Sequence, residues 1–371
     1  MKKKFKQVII LLSFYFPFLL LSCSQYLEPD EIANLLAGKS IQQESKLFSL
    51  TKQKYYKQYK QSIQTNWQQY KKNTIIPKIV WARKFIPKQS IKTVFYPLGG
   101  PDITHPLLLF PDANYYILCG LEIPGSFMSF DKIKQKLFKS ELFLLQETME
   151  FRFKKTYFRT LDLIDSLTGS ELHNAAHILL LQLALLDYSI ISFQKVYINA
   201  KGIIKKKQLY HSFIKNRLTD GIAISFMNQH KKVKQVYYFK LNLVNHLLKT
   251  KHKSFIQVLK NNEPYATTLK AAVYVNHTKY FSTLRDLILK SGLIVQDDSG
   301  IPISFLNKKK WHISYFGYYK KPFFQFPQCH QPELVTFMKQ KSKGFLPFIY
   351  GYGSFTKHSN VMIIRWKSIF K

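Results

Sequence analysis

FYPLGGPDITHPLLLFPDANYYILCGLEIPG, residues 95–125, reads as a strand, a tight turn and a second strand. Prolines 97, 101, 106, 111 and 124 and the pair Gly99-Gly100 punctuate it, and Asp102, His105, Asp112 and Glu122 stand out in a chain otherwise rich in lysine and aromatic residues. Residues 93–97 carry β-branched and aromatic side chains into Gly99-Gly100-Pro101, where glycine frees the backbone for a tight turn with positive φ. Residues 115–121 read as a buried strand leaving it. Asp102 and His105 then share one loop, and Glu122 follows the second strand. Two strand-end loops set side by side would bring these groups to one rim, where catalytic residues are commonly carried. Acids beside glycine and proline also form Asx turns and cap backbone amides, which is the structural alternative.

A second loop of the same kind is Gln296-Asp297-Asp298-Ser299-Gly300-Ile301-Pro302. Adjacent carboxylates repel if both are buried, so one of Asp297 and Asp298 must be paired, protonated or solvated. The loop reads as a cation site, as an acid–base pair with the first loop, or as a polar turn between strands.

Working outward, a helix starts near Pro29-Asp30, and residues 42–72 form a long polar helix with Tyr55, Tyr59, Ser62 and Tyr70 at helical spacings. Residues 75–87, around Trp81, read as an irregular connection. Helical periodicity returns over 130–159 (Ile133, Leu137, Leu142, Leu145, Met149), and 171–188 is apolar almost all round, the mark of a central buried helix. Strands follow at 190–198, 222–227, 235–244, 293–295, 311–318 and 361–366, with helices at 247–261, 278–289 and 333–341. Strands and helices interleave without a regular βαβ beat and without internal repeats. The class is therefore α+β (mixed): a single compact body over 90–371 with an N-terminal helical extension over 23–89.

Residues 1–22 read as an export signal, with Lys2, Lys3, Lys4 and Lys6 ahead of an apolar run over 8–21. That run is short for a spanning helix and is interrupted by Pro17, which favours a cleaved signal over a retained anchor. Leu20-Leu21-Ser22-Cys23 resembles the bacterial lipobox, whose cysteine becomes a lipidated mature N-terminus. An acyl chain such as palmitate on Cys23 would tether the protein to a membrane at about 0.8 kcal/mol per buried methylene. An ordinary secretory signal or an uncleaved anchor is the alternative. Ser24, rather than Asp, suggests the outer membrane under bacterial sorting rules.

The net charge is +35, and loss of residues 1–22 removes four lysines and no acid. Such charge attracts anionic partners, either envelope polymer or lipid, or nucleic acid. The joint abundance of Lys, Ile, Phe, Tyr and Asn is also what an AT-rich genome produces, and the lysines are spread over the whole length. Lys205–Lys207, Lys231-Lys232 and Lys308–Lys310 are the best candidates for a functional patch. No nucleic-acid motif accompanies them, and a protein partner is not identified. Beyond Cys23, Cys119 and Cys329 either pair or remain free thiols.

His173 and His177 lie one helical turn apart, a metal-ligand spacing, but lack the Glu of HExxH and a third ligand. A divalent metal is thus a weak candidate, and no other cofactor is indicated. Ser-x-x-Lys occurs six times, as a lysine-rich chain produces by chance, without S-D-N or K-T-G. No Walker loop, GxGxxG or GxSxG is present. Gly351-Tyr352-Gly353-Ser354 reads as a turn beside an aromatic wall.

YPLGGPD (96–102), FPDANYYILCGLEIPG (110–125), LKAAVYVNH (269–277), QDDSGIP (296–302) and LPFIYGYG (346–353) together resemble an uncharacterised family of bacterial secreted proteins and lipoproteins. Its members carry GPD, FPNA, GLEPxG and DDSGIP elements in this order. The resemblance spans roughly 90–370 and departs at Asp112, Ile123 and Ile303-Ser304; it implies the fold unit and the two acidic loops, and no reaction. The whole sequence is therefore read as a membrane-anchored lipoprotein of the bacterial cell envelope, facing the periplasm or exterior, with a binding or structural role. The rival is a hydrolase using Asp102, Glu122, Asp297 or Asp298, with His105, as acid and base.

Overall fold

Alternation within the short apolar strands decides the architecture. In residues 93–96, Val94 and Tyr96 face one core and Phe95 the opposite one; in 115–120, Tyr116 and Leu118 face the first core, Ile117 and Cys119 the second. Strands apolar on both faces belong inside a sheet covered by helices on either side. The computed structural model describes residues 23–88, 90–126, 135–158, 174–207, 219–353 and 355–367. In chain order it contains α1 (Cys23–Leu36), α2 (Phe48–Thr51), α3 (Lys54–Tyr70), α4 (Ile76–Phe85), β1 (Thr93–Tyr96), α5 (Thr104–Leu109), β2 (Tyr115–Gly120), α6 (Gln135–Lys155), α7 (Ala175–Leu185), β3 (Ser189–Ile198) and β4 (Ile204–Lys206). There follow β5 (Thr219–Met227), β6 (Val233–Lys240), α8 (Asn245–Lys249), α9 (Lys253–Asn261), β7 (Tyr265–Leu269), α10 (Thr278–Ile288), β8 (Leu293–Gln296), β9 (Trp311–Gly317), α11 (Pro332–Lys341) and β10 (Asn360–Trp366).

Among the described residues the strands form one ten-stranded sheet in the order β4-β3-β5-β6-β2-β1-β7-β8-β10-β9. Its centre, β6-β2-β1-β7-β8, is parallel. The flanking pairs are antiparallel. Helices α1, α3, α4, α5, α6 and α7 share a core with one face of the sheet, and α9, α10 and α11 with the other. The mixed α+β class holds, in one body, and the N-terminal helices form part of its first layer.

The chain leaves β1 for β2 on one side and later returns to lay β7 and β8 on the other. Such a switch point opens a crevice at the carboxyl ends of parallel strands, where α/β proteins place ligands. The loops after β1, β2, β7 and β8 all emerge on that edge, and they carry Asp102, Glu122, Lys270 and the Asp297-Asp298 pair.

Several local expectations are corrected. Residues 76–85 are helical, because Pro77 in the first turn is compatible with a helix start and a π-turn over Lys71–Ile75 joins them to α3. The buried face of α3 is Tyr56, Tyr59, Ile63, Trp67 and Tyr70; Ser62 instead donates to Glu150 Oε1 at 2.7 Å. The predicted helix 247–261 is two helices, broken at Thr250, whose hydroxyl bonds back to His246 O at 2.8 Å. β7, the strand paired with β1 across the switch point, is not among the strands expected from the sequence. All eleven residues of α7 are buried, as its apolar circumference requires. No helix among the described residues is long and apolar enough to cross a membrane. The expected export signal, 1–22, lies outside the described residues.

Candidate functional site

The turn after β1 folds as its composition dictates: Gly100 takes φ +59°, a left-handed conformation that glycine adopts without strain. Gln182, deep in α7, clamps this turn by donating to Pro101 O at 2.6 Å and accepting from the Thr104 hydroxyl at 2.8 Å. Asp102 and His105 do not share an exposed loop. His105 sits in the first turn of α5, its backbone N–H donates to Asp102 Oδ1 at 3.3 Å, and both side chains are fully buried.

Asp102 meets two buried cations. Arg152 Nη2 lies 2.7 Å from Oδ1 and Lys270 Nζ 2.6 Å from Oδ2. Arg152 also donates to the Tyr70 hydroxyl at 2.9 Å, and Lys270 donates to Thr156 O. His105 Nε2 is 2.8 Å from the Thr268 hydroxyl and 3.1 Å from that of Tyr350. Lys78, fully buried, rests its ammonium 5.4 Å from the ring centroids of both Phe348 and Tyr350, and among the described residues its Nζ has no hydrogen-bond partner.

Burial pushes the Asp102 carboxyl up, but Arg152 and Lys270 outweigh it and hold it at about 2, so it stays ionised. One carboxylate shared by two cations leaves the second poorly compensated: burial and the Arg152 charge bring Lys270 down to about 8. Burial, then Lys270 and Lys78, lower His105, which is neutral at pH 7. Lys78 is pushed well below the usual lysine range by burial and by Lys270 and Arg152. These lysines predict an unusual stability profile. Between pH 8 and about 10.4 the unfolded chain binds the Lys270 proton more tightly than the folded chain, so stability rises with pH. The unfolding free energy from urea titration should climb from pH 7 to pH 9, by about 1.4 kcal/mol from Lys270 alone, and the midpoint with it. A flat or falling midpoint would mean that Lys270 stays charged throughout.

The second acidic loop braces itself. Ser299 donates to Asp297 Oδ1 through both backbone N–H (3.2 Å) and hydroxyl (2.5 Å), and Ala271 N–H donates to Oδ2 at 3.1 Å. Gly351, at φ +65°, passes so close that a Cβ there would fall 1.8 Å from Asp297 Oδ2. Asp298 exchanges two bonds with Asn360: its N–H donates to Oδ1 at 2.8 Å, and Nδ2 donates to the Asp298 carboxyl at 2.7 Å. Burial raises both acids, and the charge of Asp297 raises Asp298 further. Asp298 is half-buried and lines a cavity of about 420 Å³ together with residues 318–324, Tyr352, Gly353, His358 and Asn360.

The predicted residues therefore part company. Asp102, His105 and Asp297 are interior groups joined through Lys270-Ala271 and Thr268, and Asp298 reaches open space. Glu122, also buried, accepts from the Tyr238 hydroxyl at 2.7 Å. Of the histidine pair, His173 lies outside the described residues, and His177 sets Nδ1 3.1 Å from Oδ1 of Asn174, the residue capping α7. No group of three or more His, Cys, Asp or Glu is placed to hold a metal among the described residues. Cys119 and Cys329 are buried free thiols. Sequence reasoning missed Arg152, Lys270 and Lys78.

The lysine clusters do not form one patch. Lys205 and Lys206 lie exposed on β4, at one end of the sheet, and Lys308–Lys310 precede β9, at the other. Nine strand spacings separate those ends, about 43 Å. Lys231 and Lys232 sit in the β5–β6 turn, where Lys232 Nζ donates to Asp112 O at 3.2 Å. No protein-family model, curated protein or solved structure matches the chain.

Proposed function

We propose that this chain is a lipid-anchored protein of the bacterial cell envelope whose globular body binds an anionic envelope component. The observation that carries the binding reading is the state of the carboxylates at the switch point. Asp102 is enclosed and held ionised by Arg152 and Lys270, so its charge is spent on the fold, whereas the open space on the same edge is lined by aromatic rings and lysines. Support for the anchor is the lipobox-like Leu20-Leu21-Ser22-Cys23 behind a basic, apolar leader. Expression in a bacterium fed labelled palmitate tests it. The wild-type chain should carry label and partition into detergent, and Cys23→Ala should do neither; label on the variant would place the anchor elsewhere or remove it.

One observation favours hydrolysis as a second reading. Asp298 faces the cavity with its carboxyl raised by burial and by Asp297, the condition of a general acid that still holds its proton near neutrality.

A further inference from the structure

The cavity beside Asp298 combines features that specify a ligand class. Its volume, about 420 Å³, lies within the range of small-molecule sites. One wall is aromatic: the Phe323 ring lies flat on Tyr352, with centroids 4.9 Å apart and planes at 12°. Tyr352 is itself fixed by its hydroxyl on Ala271 O at 2.9 Å and by the edge-on ring of Tyr157 at 5.2 Å. Next to this anchored pair, Phe324 is 74% exposed and Tyr318 45% exposed. Rings kept in water around a concave site are a standing cost unless something covers them.

The polar groups narrow the choice. Asn360 Nδ2 donates to Oδ1 of Asp298, a half-buried residue of the lining whose carboxyl has acceptor capacity beyond that one bond. Lys320 and Lys321 stand exposed on the lining segment, two cations against the single carboxyl of the lining. A ligand matching this set has a flat apolar face for the rings, hydroxyls for Asp298 and a negative group for the lysines. A purely apolar ligand would strand Asp298, a cation would meet two lysines, and a neutral polyol would leave the lysines unused.

We infer that this cavity is a subsite for a pyranose bearing a carboxylate or phosphate, stacked on the Phe323–Tyr352 wall with its hydroxyls toward Asp298 and its anion toward Lys320 and Lys321. The inference rests on the binding reading above and names its ligand chemistry. The test is a glycan array probed with the full-length chain in detergent, carrying carboxylated, phosphorylated and matched neutral glycans, with reducing-end release measured on every hit. Acidic glycans should be retained over their neutral counterparts without cleavage, and the two acidic sets identify which anion is read. Phe324→Ala and the double variant Lys320→Glu/Lys321→Glu should each weaken retention at least tenfold with an unchanged melting temperature, since all three side chains are exposed. Equal retention of acidic and neutral glycans, no retention of either, or retention untouched by these variants overturns the subsite while leaving the palmitate result standing. Cleavage that Asp298→Asn abolishes, with retention intact, overturns the binding reading itself in favour of the hydrolase.

Discussion

Asp102→Asn should lower the unfolding free energy by about 3–5 kcal/mol, the usual cost of removing one partner from a buried ion pair. Asparagine keeps the shape of the side chain and its capping of the His105 amide, so the loss isolates the charge. What it leaves behind is a guanidinium and an ammonium in the interior, 2.7 and 2.6 Å from a neutral amide, with Lys78 coupled to both. The triple variant Asp102→Asn/Arg152→Met/Lys270→Met should recover much of the loss, because a buried charge cluster replaced by apolar groups of similar volume is often neutral or stabilising. Urea unfolding at pH 7 measures both. A loss below about 1 kcal/mol in the single variant would mean that Asp102 is not the counter-ion of this cluster.

Lys78→Met should do the reverse and stabilise the chain by about 1–3 kcal/mol, the desolvation cost of a buried polar group that lacks a partner. The Lys78 stem is enclosed by apolar and aromatic side chains, and Phe348 and Tyr350 can pack a thioether as well as an amine. Repulsion from Lys270 and Arg152 also disappears. The same urea titration decides it. A destabilised Lys78→Met would show that the amine has a partner that matters more than its burial.

Much of the frame was legible because it rests on period and turn chemistry. Val94-Phe95-Tyr96 and Tyr116–Cys119 alternate between two cores, so the strands either side of the GGPD turn were readable, as was α7. β7 was not. Its sequence, Tyr-Ala-Thr-Thr-Leu between Pro264 and Lys270, looks polar, yet all five residues are buried. Thr267 and Thr268 bear burial because they find Ser291 Oγ and His105 Nε2, partners far away in sequence. With β7 missed, the parallel centre and its switch point could not be seen.

The site was legible by residue and not by role. Asp102, His105 and Asp297 do gather at one sheet edge, but the groups that turn them into interior structure come from elsewhere. Arg152 had a signal: Phe138, Leu142, Leu145, Met149, Arg152 and Thr156 recur at helical spacing, and all are buried. An arginine on the apolar stripe demands a carboxylate, and the basic run at the end of α6 disguised it. Lys270 follows a strand absent from those expected, and Lys78 lies on a helix where the sequence reads as an irregular connection. Asp297 turns inward to Ser299 and Ala271, whereas Asp298 turns to Asn360, a pairing across 62 residues that no local pattern contains.

The two ends of the sheet are closed in different ways. Along β9, Tyr315 pairs with Ser342, and Gly317 N–H donates to Gly344 O at 2.7 Å, so residues 342–344 lie over that border as a strap. β4 is three residues long and presents Lys205 and Lys206 to solvent. An unpaired border is a template on which another chain can add a strand, and shortness and lysine are two means by which proteins refuse it. Part of the charge that reads as affinity for anions is thus self-avoidance: where many copies crowd together, neither border offers a neighbour a continuous backbone to pair with.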